Sequence, residues 1–444
     1  MKGSFIRVLV GILLAITAGR GWAEEEKPQF KFELHGFVGG SLYVQDAQTS
    51  TTGGGATYVT GVPRTDRGIF SADVRQTRLN LSLAGPKAFG DATPKAVVEF
   101  DFFGGVQPAG GSTQITALSP RLRLAYGELN WGSTIIRFGQ DSDLVMGTTF
   151  PNTVGHAGNP LTFNAGSLGN RHPGLFAFYT TPVADDTKLE LALQITRSVW
   201  DDSTPTATSA KGADPRSSPV ASGVQLGLSD SSGLPMVEAR VKVKHASYEA
   251  WITGSWNQVD LNGIDDAQAT DKNVTSRQVV AGNLGGWAKF YGFELRGSAF
   301  VGKNLAALGS GMGQFSPLSS TATTKAGDIH EYGGWAQLGY TLPSLPGLSG
   351  WVLAGIDRPN KTEVKDAIGG TGKWSNLLTS LMLRYSDGGY QIGLEYTHWY
   401  TRYIASPAAN TATTLATVGS YNNTVDKKAD LAGDQLMFSG VYFF

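Results

Sequence analysis

The chain has 444 residues, a formal net charge of −1, 41% hydrophobic and 16% charged residues, 58 glycines and no cysteine. The missing cysteines exclude a disulfide scaffold, thiolate chemistry and the usual lipoprotein anchor, and a near-neutral chain offers nucleic acid no basic surface. So many glycines at modest hydrophobicity suit many short strands and turns better than one large oily core.

At the amino end, Lys2 and Arg7 precede an apolar run from Val8 to Ala18, and Gly21-Trp22-Ala23 supplies small residues before Glu24. This reads as a secretory signal peptide over residues 1–23, and its removal takes Lys2, Arg7 and Arg20 and leaves a mature chain of about −4. The run is about a dozen residues, short of the roughly 20 that a membrane-crossing helix needs, and no later stretch approaches 18. If residues 24–444 sit in a membrane, they do so as a closed barrel. No composition break divides them, so they read as one domain.

Alternation with period 2 then fills the chain. Strands are predicted at Phe30–Gln45, Phe70–Leu83, Lys95–Phe103, Arg121–Trp131, Thr134–Gln140, Gly174–Thr181, Lys188–Val199 and Met236–His245. A second eight follow at Tyr248–Val259, Arg277–Phe290, Gly292–Gly302, Ile329–Thr341, Gly350–Ile356, Trp374–Tyr385, Tyr390–Tyr403 and Leu431–Phe444. Their connections alternate strictly between long and short, with tight turns such as Asn130-Trp131-Gly132-Ser133 and Ser386-Asp387-Gly388-Gly389. The long ones, for example Gln48–Tyr58, Ser203–Gly223 and Ala405–Asn423, are polar and show no helical period. A soluble sandwich shares the alternation but gives no reason for the loop pattern. The reading is an all-β, transmembrane antiparallel β-barrel of about sixteen strands in a bacterial outer membrane.

In the last strand Leu436, Phe438, Gly440, Tyr442 and Phe444 share one face. Such a face suits lipid contact, and a terminal aromatic marks the strand for the barrel-assembly machinery. Tyr126, Trp131, Trp251, Tyr291, Trp351, Tyr396, Trp399 and Tyr403 lie near strand ends, as interfacial rings would.

The opposite parity carries Arg78, Arg121, Arg123, Arg137, Arg240, Lys242, Lys244, Lys289, Arg296 and Arg384, with Glu99, Asp101, Glu190, Glu238, Glu294 and Glu395 among them. Each cation is therefore a lumenal charge or half of a cross-strand pair. Arg78, Arg121, Arg123 and Arg137 fall on three strands close in barrel order and make a candidate basic strip. Arg75 has the wrong parity relative to Arg78, and Arg78 is taken as the lumenal one.

The connection Asp141–His172 has the Gly, Asn and Pro content to fold inward as a constriction, carrying Asp141, Asp143, His156, Arg171 and His172. Asp141 and Asp143 across a gap from the basic strip would set up a transverse field. No nucleophile, phosphate-loop or metal-spacing motif appears, so neither an enzyme nor a cofactor or metal is expected. Asp141-Ser142-Asp143 could bind calcium, but two carboxylates without the remaining ligands of a loop site make that a weak signal.

Val74-Arg75-Gln76-Thr77-Arg78-Leu79-Asn80-Leu81, Pro94–Phe103, Leu122-Arg123-Leu124-Ala125-Tyr126-Gly127-Glu128-Leu129, Gly139-Gln140 and Arg171-His172-Pro173 occur in an order that resembles DcaP-like porins over about Phe30–Thr181. The resemblance implies a sixteen-stranded homotrimer with an inward third outer loop after the fifth strand, and a basic lumen passing small anionic solutes such as dicarboxylates. The amino-terminal coiled coil of some members is absent, and His172 follows Arg171 as a second departure. The expected role is passive diffusion of small hydrophilic solutes; the alternatives are a barrel enzyme or a structural barrel with a filled lumen. Expected partners are those solutes, outer-membrane lipid, the assembly machinery and further copies of the chain.

Overall fold

In the computed structural model, residues 30–50, 53–61, 68–104, 106–109, 112–156, 160–198, 232–260, 276–316, 325, 327–405 and 430–444 are described. The signal segment 1–23, the loop Ser203–Gly223 and most of Ala405–Asn423 lie outside them.

Sixteen antiparallel strands form one closed sheet. They are β1 (Lys31–Gln45), β2 in two pieces (Ile69–Asp73 and Arg78–Ala84), β3 (Thr93–Asp101), β4 (Arg121–Asn130), β5 (Thr134–Ser142), β6 (Arg171–Ala184), β7 (Thr187–Thr196) and β8 (Met236–Lys244). The rest are β9 (Tyr248–Asp260), β10 (Ser276–Phe290), β11 (Phe293–Lys303), β12 (His330–Thr341), β13 (Leu348–Pro359), β14 (Lys373–Asp387), β15 (Tyr390–Tyr403) and β16 (Asp430–Phe443). The ring closes where β1 pairs with β16, from Phe37 opposite Phe443 to Gln45 opposite Gln435. Reciprocal backbone bonds between Gly36 and Phe444, both 3.1 Å, tie the terminal residue into β1.

The faces are inverted relative to a water-soluble sheet. On β15 the side chains of Ile392, Leu394 and Tyr396 are exposed while Glu395, Thr397 and Thr401 are buried. On β16 Leu436, Phe438 and Tyr442 are exposed while Gln435 and Ser439 are buried. A continuous apolar exterior of this kind would aggregate in water and is solvated by lipid. Among the described residues no helix is long and apolar enough to cross a membrane, so the strands do the crossing. Rings gather at the short-turn end, where Trp131, Tyr248, Tyr291, Tyr340, Tyr390 and Tyr442 are exposed, as an interfacial girdle requires. Trp251, Trp351, Trp399 and Tyr403 are instead buried inside the barrel. They sit on the lumenal parity of their strands, so nearness to a strand end does not by itself place a ring in the girdle.

Three further features depart from the sequence reading. The second strand breaks at Val74–Thr77, because the Asp73 carboxylate accepts the Arg75 N–H at 2.9 Å and Thr77 N–H turns back to Val74 O at 3.1 Å, a local turn that competes with the ladder. A short hairpin, Val106–Ala109 with Ser112–Leu118, occupies the connection before β4. The connection between β13 and β14 holds a helix, α1 (Lys361–Ile368). Asn360 caps it by accepting from Thr362 N and Glu363 N, and Gly369 at φ 80 ends it. With two turns, it is too short to leave a period in the sequence.

Candidate functional site: the lumen and its inward loop

The apolar core lies between the barrel wall and a chain segment folded inside it. At the end of β5, Asp143 is fully buried; it accepts from Asn170 N at 2.8 Å and Gln194 Nε2 at 3.2 Å, and sits 2.8 Å from His172 Nδ1. One carboxylate thus pins both ends of the loop. From there the chain travels around the inner wall. Leu144 N–H donates to Gln194 on β7 and Val145 N–H to Glu238 on β8, each at 2.9 Å. Thr148 bonds Glu249 on β9, and Arg296 on β11 donates to Phe150 O at 3.1 Å. Asn152 exchanges two 2.7 Å bonds with Gln337 on β12. The inward amides and carboxylates of the wall thus satisfy loop backbone that no ladder reaches. Gly147, at φ +72, is required because a Cβ there would stand 2.1 Å from the Trp251 ring.

Apolar contacts fix the same path. Val145 and Leu168 pack with Val259, Phe300 and Leu305, while Leu161 and Ala165 pack with Trp335, Leu353 and Trp399. A second segment, Leu305–Leu308, folds inward beside the first, with Gly169 N–H donating to Leu308 O at 2.6 Å.

The arginines concentrate on β2 to β6. Register slips between Glu99 and Phe100 on β3, so that Glu99 faces Leu124 and Phe100 faces Leu122. The extra residue, Arg123, is a β-bulge, and the change of parity it brings puts both Arg123 and, further along β4, Glu128 on the inner face. Arg123 contacts Glu99 at 2.7 Å and Asp101 at 2.8 Å; Arg121 contacts Asp101 at 2.7 Å; Arg78 lies 3.7 Å from Glu99. Arg171 stands within electrostatic reach of Arg123, Arg121, Arg78 and Asp101. Among the described residues it has no ion pair, and its Nε has no acceptor. Among the described residues the group sets four guanidinium ions against two carboxylates, Glu99 and Asp101. Rings support it: Phe103 lies under Arg121 at 5.2 Å and under Arg75 at 4.7 Å, and Phe37 under Arg78 at 5.3 Å.

No protein-family model matches the chain, and no curated protein matches it. Solved structures do. The outer membrane channel DcaP of Acinetobacter baumannii superposes with a TM-score of 0.61 at 15% identity, over 94% of this chain and 97% of that one. The fold is that of an outer-membrane porin. An anion-selective porin from Comamonas acidovorans follows at 0.51 and 10% identity, covering 94% and 100%, and OmpF of Salmonella typhi, solved with daunomycin, at 0.50 and 14%, covering 93% and 97%. At these identities the likeness is one of fold.

Within this porin fold the other predicted lining residues separate into distinct settings. Arg137 pairs with Glu128 at 2.5 Å and with Asp141 on its own strand, over the ring of Tyr126 at 4.0 Å. Arg240 and Lys242 share Glu190 at 3.0 and 3.1 Å. Arg296 pairs with Glu294, and Arg384 reaches Asn152 at 3.4 Å beneath the inward loop. The acidic wall expected of Asp141 and Asp143 does not form: Asp141 is spent on Arg137, and Asp143 is sealed behind the loop it anchors. Arg75 is the residue that sequence parity discarded. The break in β2 swings it onto Phe103 beside Arg121, and it pairs with Asp73 at 2.8 Å. Only the Asp-x-Arg spacing hinted at it. His156 lies buried within the inward loop, and burial pushes its imidazole down to about 4, so it is neutral.

Proposed function

We propose that this chain is a porin for small hydrophilic solutes and that its lumen prefers anions, with small dicarboxylates a fitting class. The observation that carries the reading is that Arg171, with no ion pair among the described residues, stands within electrostatic reach of Arg78, Arg121 and Arg123. A positive charge so placed in a low-dielectric wall focuses potential into the passage and raises the local concentration of anions. Passage is passive, and the listless diffusion of a solute down its gradient asks no chemistry of the wall. The guanidinium fork of Arg171 matches a carboxylate in plane and spacing, which favours carboxylates over halide in the same field.

Further parts of the reading rest on the sequence. Residues 1–23 direct export and are removed, the outward ring face of β16 ending at Phe444 is read by the assembly machinery, and three copies associate in the membrane. Planar-bilayer recording under a salt gradient tests the core of the proposal. The reversal potential should have the anion-selective sign, with conductance arriving in steps of three. A cation-selective sign overturns the preference, and a sealed barrel that conducts nothing overturns the porin reading.

A further inference from the structure

Outside the lumen, the upper rim of β13 to β15 carries a site that the diffusion pathway does not use. On β13 the outward residues run Val352, Ala354, Ile356 and then Arg358; on β15 they run Ile392, Leu394, Tyr396, His398, Tyr400 and then Arg402. Following the lipid-facing parity toward the long-connection end, oily side chains give way to cations. A register slip between Lys373 and Ser375 at the start of β14 sits level with Arg402, and Trp374 lies within it. The Trp374 indole donates to Tyr403 O at 3.2 Å, which holds the ring in place.

Three cations crowd this one ring. Lys361 Nζ, from the first turn of α1, is 4.7 Å from its centroid, Arg402 5.3 Å and Arg358 5.7 Å. Of the acids nearby, Glu363 and Asp366 are engaged elsewhere, and Asp430 pairs with Arg402. Glu363 is 3.0 Å from His330 Nδ1, Asp366 lies 3.6 Å from Lys325, and Asp430 accepts from Tyr400 Oη at 2.7 Å while standing 3.9 Å from Arg402. Among the described residues Arg358 and Lys361 have no ion pair. Like charges gathered around one ring repel one another, and the two without an ion pair call for an anion between them.

We propose that this cluster binds the phosphorylated headgroup of an outer-leaflet glycolipid. Two observations select that occupant over a dissolved solute: the cluster faces away from the lumen, and it stands directly above the apolar band of the same strands, at headgroup depth. Arginine forks and a lysine point charge are the side chains that take phosphate, and an indole at that level is at home among headgroups. The acyl chains would lie down the faces of Ile356, Ile392 and Leu394.

The test uses the purified oligomer in detergent, incubated with diphosphorylated lipid A or with the same lipid stripped of its phosphates, and native mass spectrometry to count the lipid retained. The wild-type protein should hold the phosphorylated form. Each cation removed should weaken retention about fivefold, and R358Q/K361Q/R402Q together on the order of a hundredfold, to the level of the stripped lipid. Equal retention by the triple variant, or equal retention of the stripped lipid, overturns the proposal. So does displacement of lipid by excess inorganic phosphate, which would make the cluster a solute site, and so does loss of the oligomer in the triple variant, which would make it a subunit contact. Heat-modifiable migration checks folding. Should the triple variant not fold, Lys361→Gln, on an exposed side chain, must still give its fivefold loss for the proposal to stand.

Discussion

Single side chains in the lumen differ in what their removal would expose. Arg171 has no ion pair among the described residues, so Arg171→Gln takes away one positive charge and orphans no carboxylate. Its expected effect is a reversal potential moved part of the way toward zero in an intact barrel. Arg123 bonds both Glu99 and Asp101. Arg123→Gln takes from both acids a close partner and leaves them Arg121 and Arg78, so the same measurement should move further toward zero. Stability should also fall by about 3 kcal/mol, because breaking one partner out of a buried pair costs more than the pair contributes. Equal shifts for the two variants would show that the carboxylates are screened by solvent. The cluster also shows where alternation stops being informative: the bulge at Arg123 and the turn at Asp73 each insert or remove a residue, and one residue is enough to reverse every face beyond it. Arg75 was lost to the sequence reading for that reason, while Arg78, Arg121 and Arg123 were found.

Among the elements, the inward loop has a titrating member of its own. His156 is buried within it and pushed from 6.5 down to about 4 by desolvation, with the Asp73 carboxylate near enough to oppose the shift. Once released into water the same imidazole would titrate near 6.5. The released loop therefore binds the proton more readily between those values, and the folded-in state is at full strength above about pH 6.5 and loses stability as pH falls toward 4. Current noise and brief openings should rise on acidification through that window, and His156→Phe should flatten the dependence. An unchanged acid response in His156→Phe would show that the loop's release is not governed by this imidazole. That a loop after β5 folds inward was legible in its length and its Gly, Asn and Pro content. Its route was not, since each anchor, from Gln194 to Gln337, is a wall residue whose partner lies far away in sequence.

For the molecule as a whole, stability depends on the exterior being solvated by lipid. Leu381 is 54% exposed on the outer face of β14, between Val352 and Tyr396 on the flanking strands. Leu381→Arg should lower stability in vesicles by about 2–4 kcal/mol, the cost of a cation near the bilayer midplane, as read from denaturant titration of the refolded barrel. No loss there would mean that the position is covered by protein, as at a contact between copies.

The order of the amino acids by itself determined a barrel of about sixteen strands, most of their faces, the side on which long loops fall and the inward course of one of them. Those properties follow from local periodicity and spacing, which survive in one dimension because lipid and water impose opposite demands on successive residues. Which arginines are neutralised, that Asp143 is a loop anchor instead of a lumenal charge, and that Arg358, Lys361 and Arg402 meet on one indole were decided only by closure of the sheet. Closure sets register between strands remote in sequence, and charge pairing is a property of that register.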